Sequence, residues 1–218
     1  MIIKSPQGPI RPLIEALEEN EILNGWVTQL EDSAKHQMKQ LEEGGCETLE
    51  EGGRIYHGLD GTTWALEQLF SDYFPSLQRA AAFLAIWGSF ERHIYELCRQ
   101  VALAGSYRLK VGDLAGKGLT RARRYLLKVA GLDGEWANAR WQEFPCFQHV
   151  RNIFAHGDGH IDLGQAKQEA CVAASPHVTV QNGIVQLEPG FLPHVLQQQR
   201  RFLNGLEEVV VQRFGHGV

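Results

Sequence analysis

Phe83, Trp87, Phe90, Ile94, Leu97 and Val101 recur at steps of three and four residues, the spacing that lines one side of an α-helix. A strand would send these large side chains to both faces, so the stretch is predicted as a long central helix that other helices must cover. The most apolar segment, 80–87, leads into it, and Ser89, Glu91, Arg92 and His93 follow at once. That run is well short of the roughly 18 apolar residues that span a bilayer, so the helix is read as buried in protein, with no membrane partner. Its pattern starts near Thr63 and is broken or kinked at Pro75, which lacks an N–H and crowds the preceding turn.

Elsewhere the chain is also mostly helical in pattern. Residues 10–43 are strong helix formers interrupted at Asn24-Gly25, which predicts two helices. Gly44 to Gly61 is glycine-rich and acidic with no sustained period, which predicts a solvated connection, mobile or used for partner binding, with Tyr56-His57 as an anchor. A helix is expected from about Leu119 to Val129, with Thr120 as N-cap and Gly131 as stop. Its Arg121, Arg123, Arg124 and Lys128 form the densest basic stretch. A further helix runs from the region of Trp136 and Trp141 to His156, with Pro145 at an N1-like position and Gly157 and Gly159 ending it. Asn182-Gly183 between two apolar runs predicts a type I′ hairpin in which Val180 faces Val185 and Val178 faces Leu187. A closing helix follows from about Phe191 to Phe214. The fold class expected is mainly α, a helical bundle with a small C-terminal β-hairpin, divided into an N-terminal extension and linker (1–61) and a helical domain (62–218).

Composition narrows the function. The chain has 218 residues, a net charge of -5 and four cysteines without a CxxC pair. An acidic chain does not coat nucleic acid through bulk positive charge, so any RNA chemistry needs a local site. The scattered cysteines suggest neither a zinc ribbon nor a disulfide framework, and with too short an apolar stretch at the N-terminus for a signal peptide the expected location is the reducing cytoplasm.

The segment that carries chemistry is Val150-Arg-Asn-Ile-Phe-Ala-His156-Gly-Asp-Gly-His160. On a helical wheel Phe147, Val150 and Phe154 share one side, while Arg151, Ala155, Asn152 and His156 follow one another around the other. Histidine exchanges a proton near neutral pH, and arginine grips phosphate with a two-pronged fork that also stabilises transition-state charge. Asparagine can orient the ribose or the imidazole. With the RNA 2′-hydroxyl as nucleophile, no metal-bound water or other cofactor is required. Arg151 and His156 are about 140° apart on an ideal helix, so only arginine's reach, a frayed last turn or a second copy across a dimer axis brings both to one phosphate.

Arg151-Asn152-x-x-x-His156 resembles the R-x4-6-H signature of the HEPN superfamily, in its form with a polar residue after the arginine. The resemblance extends from about Thr63 to Phe214: the central helix with Phe90-Glu91, the Arg-Asn-His helix ending in Gly-Asp-Gly, the hairpin and the closing helix. It implies a metal-independent endoribonuclease working as a symmetric homodimer, a toxin or host-defence effector restrained by an antitoxin or regulatory protein. Arg151 and His156 match the signature, Asn152 its polar position, and Glu91 an acid found near the site. Many members of the family lack activity, so a noncatalytic dimerisation or interaction module is the alternative. Residues up to Gly61 have no counterpart in it.

Rival motifs are weaker. His156-x-x-x-His160 with Asp158 and Asp162 has metal-binding residue types, but the glycines at 157 and 159 break the helix that would align the imidazoles. Gly112-Asp-Leu-Ala-Gly-Lys-Gly118 is similar to a phosphate loop yet one residue short, with Gly118 where Ser or Thr would bind magnesium. The basic stretch reads as a solvated helix face, His93 as half-buried and structural beside Glu91, and the five tryptophans as core.

Overall fold

The structure is a computed structural model, which describes residues 8–48, 52–161 and 166–215. Its centre is the expected long helix, α3 (Phe74–Ala104), which buries Phe83, Ile86, Trp87, Phe90, Ile94, Leu97 and Val101. A three-residue helix, α2 (Leu66–Gln68), leads through a wide π turn (Leu69–Tyr73) directly into α3, with Pro75 in the first turn. Proline is tolerated there because its missing N–H falls where no intrahelical partner is lost, and the wide turn takes up the bend.

The N-terminal residues form one helix, α1 (Arg11–Glu42), and not two. Gly25 is exposed with open space around it, so its cost is the intrinsic glycine penalty of about 1 kcal/mol. Packing outweighs that. Leu13, Ala16, Val27 and Ala34 are buried, and the first three lie in the same core as α3 and the closing helix. Two polar contacts fix the register of α1: Asn20 Nδ2 donates to the Leu196 carbonyl at 3.1 Å, and buried Glu31 pairs with Arg79 of α3.

Within Gly44–Gly61, where no strand period was legible, the chain makes a small antiparallel sheet of β1 (Glu47–Thr48), β2 (Arg54–Tyr56) and β3 (Leu59–Asp60); residues 49–51 of that segment lie outside the described residues. Tyr56 is the anchor, buried against Leu41, Leu66 and Phe70, with its hydroxyl donating to the Gln37 carbonyl at 2.8 Å.

After α3 come α4 (Gly118–Lys128), starting one residue earlier than expected with Thr120 inside it, two single 3₁₀ turns (Glu135–Ala137 and Ala139–Trp141), and α5 (Phe144–Gly157) with Pro145 in its first turn. Trp87, Trp136 and Trp141 join Phe90, Phe144, Phe147 and Phe202 in an aromatic core in which Trp141 stacks on Phe144 at 5.1 Å. Trp26 and Trp64 are exposed, so the core reading holds for three of the five.

The C-terminal third is α6 (Ala166–Ala174), β4 (Val178–Gln181), β5 (Ile184–Leu187) and α7 (Phe191–Phe214). The hairpin has the expected register, Val178 opposite Leu187 and Val180 opposite Val185, around Asn182 and Gly183, both at positive φ as a type I′ turn demands. Val185 and Leu187 are buried on the helices, which is what a two-stranded hairpin needs to persist. One cysteine reading is overturned: Cys146 of α5 and Cys171 of α6 form a disulfide with Cα atoms 4.7 Å apart. The two are 25 residues apart in sequence, and only the antiparallel approach of the two helices makes the pairing visible. No described helix is long and apolar enough to cross a membrane.

Candidate functional site

α5 is amphipathic in the manner its sequence predicts. Phe144, Phe147, Val150 and Ile153 are buried, Arg151 and Asn152 are half-buried, and Ala155 and His156 are exposed in the last turn. The helix ends because Asp158 and Gly159 both take positive φ, and the N–H groups of both turn back to the carbonyl of Ile153. Beyond that turn the chain is pinned to the hairpin: Val185 N–H donates to the Gly159 carbonyl at 2.8 Å and Ile161 N–H to the Gly183 carbonyl at 3.1 Å. The hairpin therefore holds the end of the helix that carries His156.

Arg151 Nη1 donates to Asn152 Oδ1 at 3.1 Å. On the wheel Asn152 lies about 100° from Arg151 and about 40° from His156, so this bond draws the guanidinium around the helix toward the histidine. The gap it crosses is the line of Gln148 and Ala155, and the methyl side chain of Ala155 leaves that line open. Asn152 and His156 are one turn apart, so the three polar groups form a continuous row. Among the described residues neither Arg151 nor His156 pairs with a carboxylate.

Glu91 lies one turn from this row. The position a Cβ would take on Gly118 is 2.8 Å from Glu91 Oε1 and 3.0 Å from Gln148 Nε2; glycine at 118, with φ of 52°, lets α3, α4 and α5 meet there. Glu91 thus stands at the start of α4 beside Gln148, and no hydrogen bond joins it to Arg151, Asn152 or His156 among the described residues. Gln148 is the residue sequence reasoning missed; its spacing of four from Asn152 would have placed it in the row. Tyr95 donates to the Gly118 carbonyl at 3.2 Å. Burial pushes its phenol above the ordinary value, Arg121 pulls it down and Glu91 adds to the rise.

Two of the rival motifs take structural roles. His93 is buried and hydrogen-bonds Glu19 of α1, not Glu91. Gly112–Gly118 is the turn before α4. Among the described residues no three His, Cys, Asp or Glu side chains are grouped to hold a metal ion, and Asp162 lies outside those residues. Compared in turn with models of protein families, with curated proteins and with solved structures, the chain matches none.

Proposed function

We propose that this chain is a metal-independent endoribonuclease of HEPN type, with Arg151, Asn152 and His156 as its catalytic residues. The observation that carries the reading is the Arg151–Asn152 hydrogen bond, which aims an arginine without a carboxylate partner among the described residues along the row that ends in an exposed histidine. A guanidinium so placed in a chain of net charge -5 is well suited to a phosphate.

In this mechanism His156 accepts the proton of the ribose 2′-hydroxyl as its oxygen bonds to phosphorus and the bond to the 5′-oxygen breaks. Arg151 holds the two non-bridging oxygens and stabilises their charge in the transition state. Asn152 keeps the guanidinium in place. The products are a 2′,3′-cyclic phosphate and a 5′-hydroxyl, and the departing 5′-oxygen takes its proton from the histidinium of a second copy.

The second copy is part of the proposal. Tyr73, Leu77 and Ile184 are exposed apolar residues lining a groove of about 550 Å³ to which α5 contributes Phe154 and Asp158. A two-fold axis near Ala155 would bring two Arg-Asn-His rows together, and the groove is further apolar surface that a partner would cover. The groove equally suits the noncatalytic alternative, a dimerisation or interaction module of the same fold. A toxin or defence role, with an antitoxin or regulatory partner, follows from the HEPN resemblance alone. A cytoplasmic location is also proposed, and Cys146–Cys171 argues against it, since disulfides persist mainly in oxidising compartments. Incubating the purified chain with single-stranded RNA in EDTA and identifying the new ends tests the reading.

A further inference from the structure

Of the 21 Lys and Arg residues, seven fall between 108 and 128, against one of the 26 Asp and Glu. Within that stretch Arg121, Arg124 and Lys128 follow the spacing i, i+3, i+7, which puts them within about 60° on one face of α4, and Lys117 is the residue that precedes the helix. The opposite face is the buried one, formed by Leu119, Ala122, Tyr125 and Leu126. Arg123 is off the stripe and is occupied elsewhere: it donates to the Ala137 carbonyl and lies over the Trp141 ring at 5.3 Å.

A charged helix face is ordinary, but this one differs from six arginines elsewhere in the chain. Arg11, Arg54, Arg79, Arg92, Arg99 and Arg140 each pair with a carboxylate. Among the described residues none of the four stripe residues does. Arg121 Nε donates to the Gly116 carbonyl at 2.7 Å and Arg124 Nη1 to the Ala115 carbonyl at 2.8 Å. Those bonds fix both guanidinium groups while leaving most of their five N–H donors free. The stripe also reaches the α5 row. Lys117 precedes Gly118, which touches Gln148, one turn before Arg151 and Asn152. Arg121 and Arg151 each lie three residues beyond that shared point, on α4 and on α5.

We propose that Lys117, Arg121, Arg124 and Lys128 bind the sugar-phosphate backbone of the single-stranded RNA that enters the α5 site. The inference rests on the reading of α5 as a ribonuclease site and adds the path of its substrate. At about 1.5 Å per residue α4 is about 16 Å long, enough to meet a few successive phosphates of one strand. It supplies the local positive charge that an acidic chain otherwise lacks, and because it contacts phosphates it carries no base preference.

The test is binding of a fluorescent 2′-O-methyl uridine 12-mer, which cannot be cleaved, across a salt series. Lys117 and Lys128 are exposed, with no side-chain hydrogen bond or ion pair among the described residues, so Lys117→Gln with Lys128→Gln removes charge and leaves the fold intact. The double variant is expected to bind about tenfold more weakly and to lower the log-log salt slope by about 1.4, two contacts at about 0.7 each. Arg121→Gln with Arg124→Gln is expected to do the same. Unchanged affinity and slope in both variants, or no binding by the parent protein at low salt, would overturn the stripe. Binding that follows the stripe without any cleavage of RNA would leave the stripe standing and sink the ribonuclease reading. Cleavage with stripe variants that bind like the parent would do the reverse.

Discussion

Arg79 of α3 grips Glu31 of α1 with two hydrogen bonds, Nε to Oε1 at 2.7 Å and Nη2 to Oε2 at 2.8 Å, and its Nη1 donates to the Leu187 carbonyl of β5 at 3.1 Å. One buried guanidinium thereby joins the N-terminal helix, the central helix and the hairpin. Removing one partner of such a pair strands a buried charge, so Glu31→Ala is expected to cost roughly 3–5 kcal/mol of unfolding free energy. Glu31→Leu combined with Arg79→Met should cost far less, because neither charge then stays buried. Denaturant melts decide it; a loss below about 1 kcal/mol in the single variant would mean that α1 is not held as described.

The cysteines give a chemical count. Burial pushes the Cys98 thiol up to about 12, so at pH 8 its thiolate is roughly one part in 10⁴ and it should not react with a disulfide reagent in the native protein. Cys46 is half-buried and should react. Unfolded without reductant, the chain is expected to titrate two thiols; after reduction, four. Four thiols before reduction would contradict the Cys146–Cys171 bond.

Much of the fold was legible in the sequence because its long elements have unambiguous periods. The apolar side of α3, the extent of α7 and the register around Asn182-Gly183 are where the residues put them. What escaped was decided by tertiary contact. The Asn24-Gly25 break is a local preference overridden by burial along α1, and β1 to β3 are two or three residues each, too short to show alternation. The Cys146–Cys171 pairing depends on how α5 and α6 approach. At the site, helical spacing disclosed the polar row on α5. It could not disclose that Arg151 turns to Asn152, nor that Glu91 meets Gln148 at Gly118, because both follow from side-chain direction and packing.

The proposed dimer should break at one residue. Ala155 is exposed in the last turn of α5, and Ala155→Trp fills the gap through which a second row would approach. Light scattering is expected to give twice the 24.5 kDa of one chain for the parent protein and one chain for the variant, with unchanged circular dichroism. A parent protein that stays monomeric at every working concentration would contradict the arrangement.

Within the row the effects should be graded. Arg151→Lys keeps a positive charge but loses the planar fork, so cleavage is expected to fall by about 10²-fold or more, comparable to removing a transition-state donor. Asn152→Ala removes only the partner that steers Arg151, and should fall less. Equal activity in the lysine variant would show that the phosphate is not gripped there.

The most direct test is the reaction itself. Single-stranded RNA is incubated with the purified chain in EDTA, and the ends of the products are identified. The expected result is cleavage to 2′,3′-cyclic phosphate and 5′-hydroxyl ends, with DNA spared for want of a 2′-hydroxyl, and a loss of about 10²- to 10⁴-fold in the folded His156→Ala variant. Cleavage that disappears in EDTA and returns with a divalent ion, or that survives in the combined Arg151→Ala and His156→Ala variant, would contradict it.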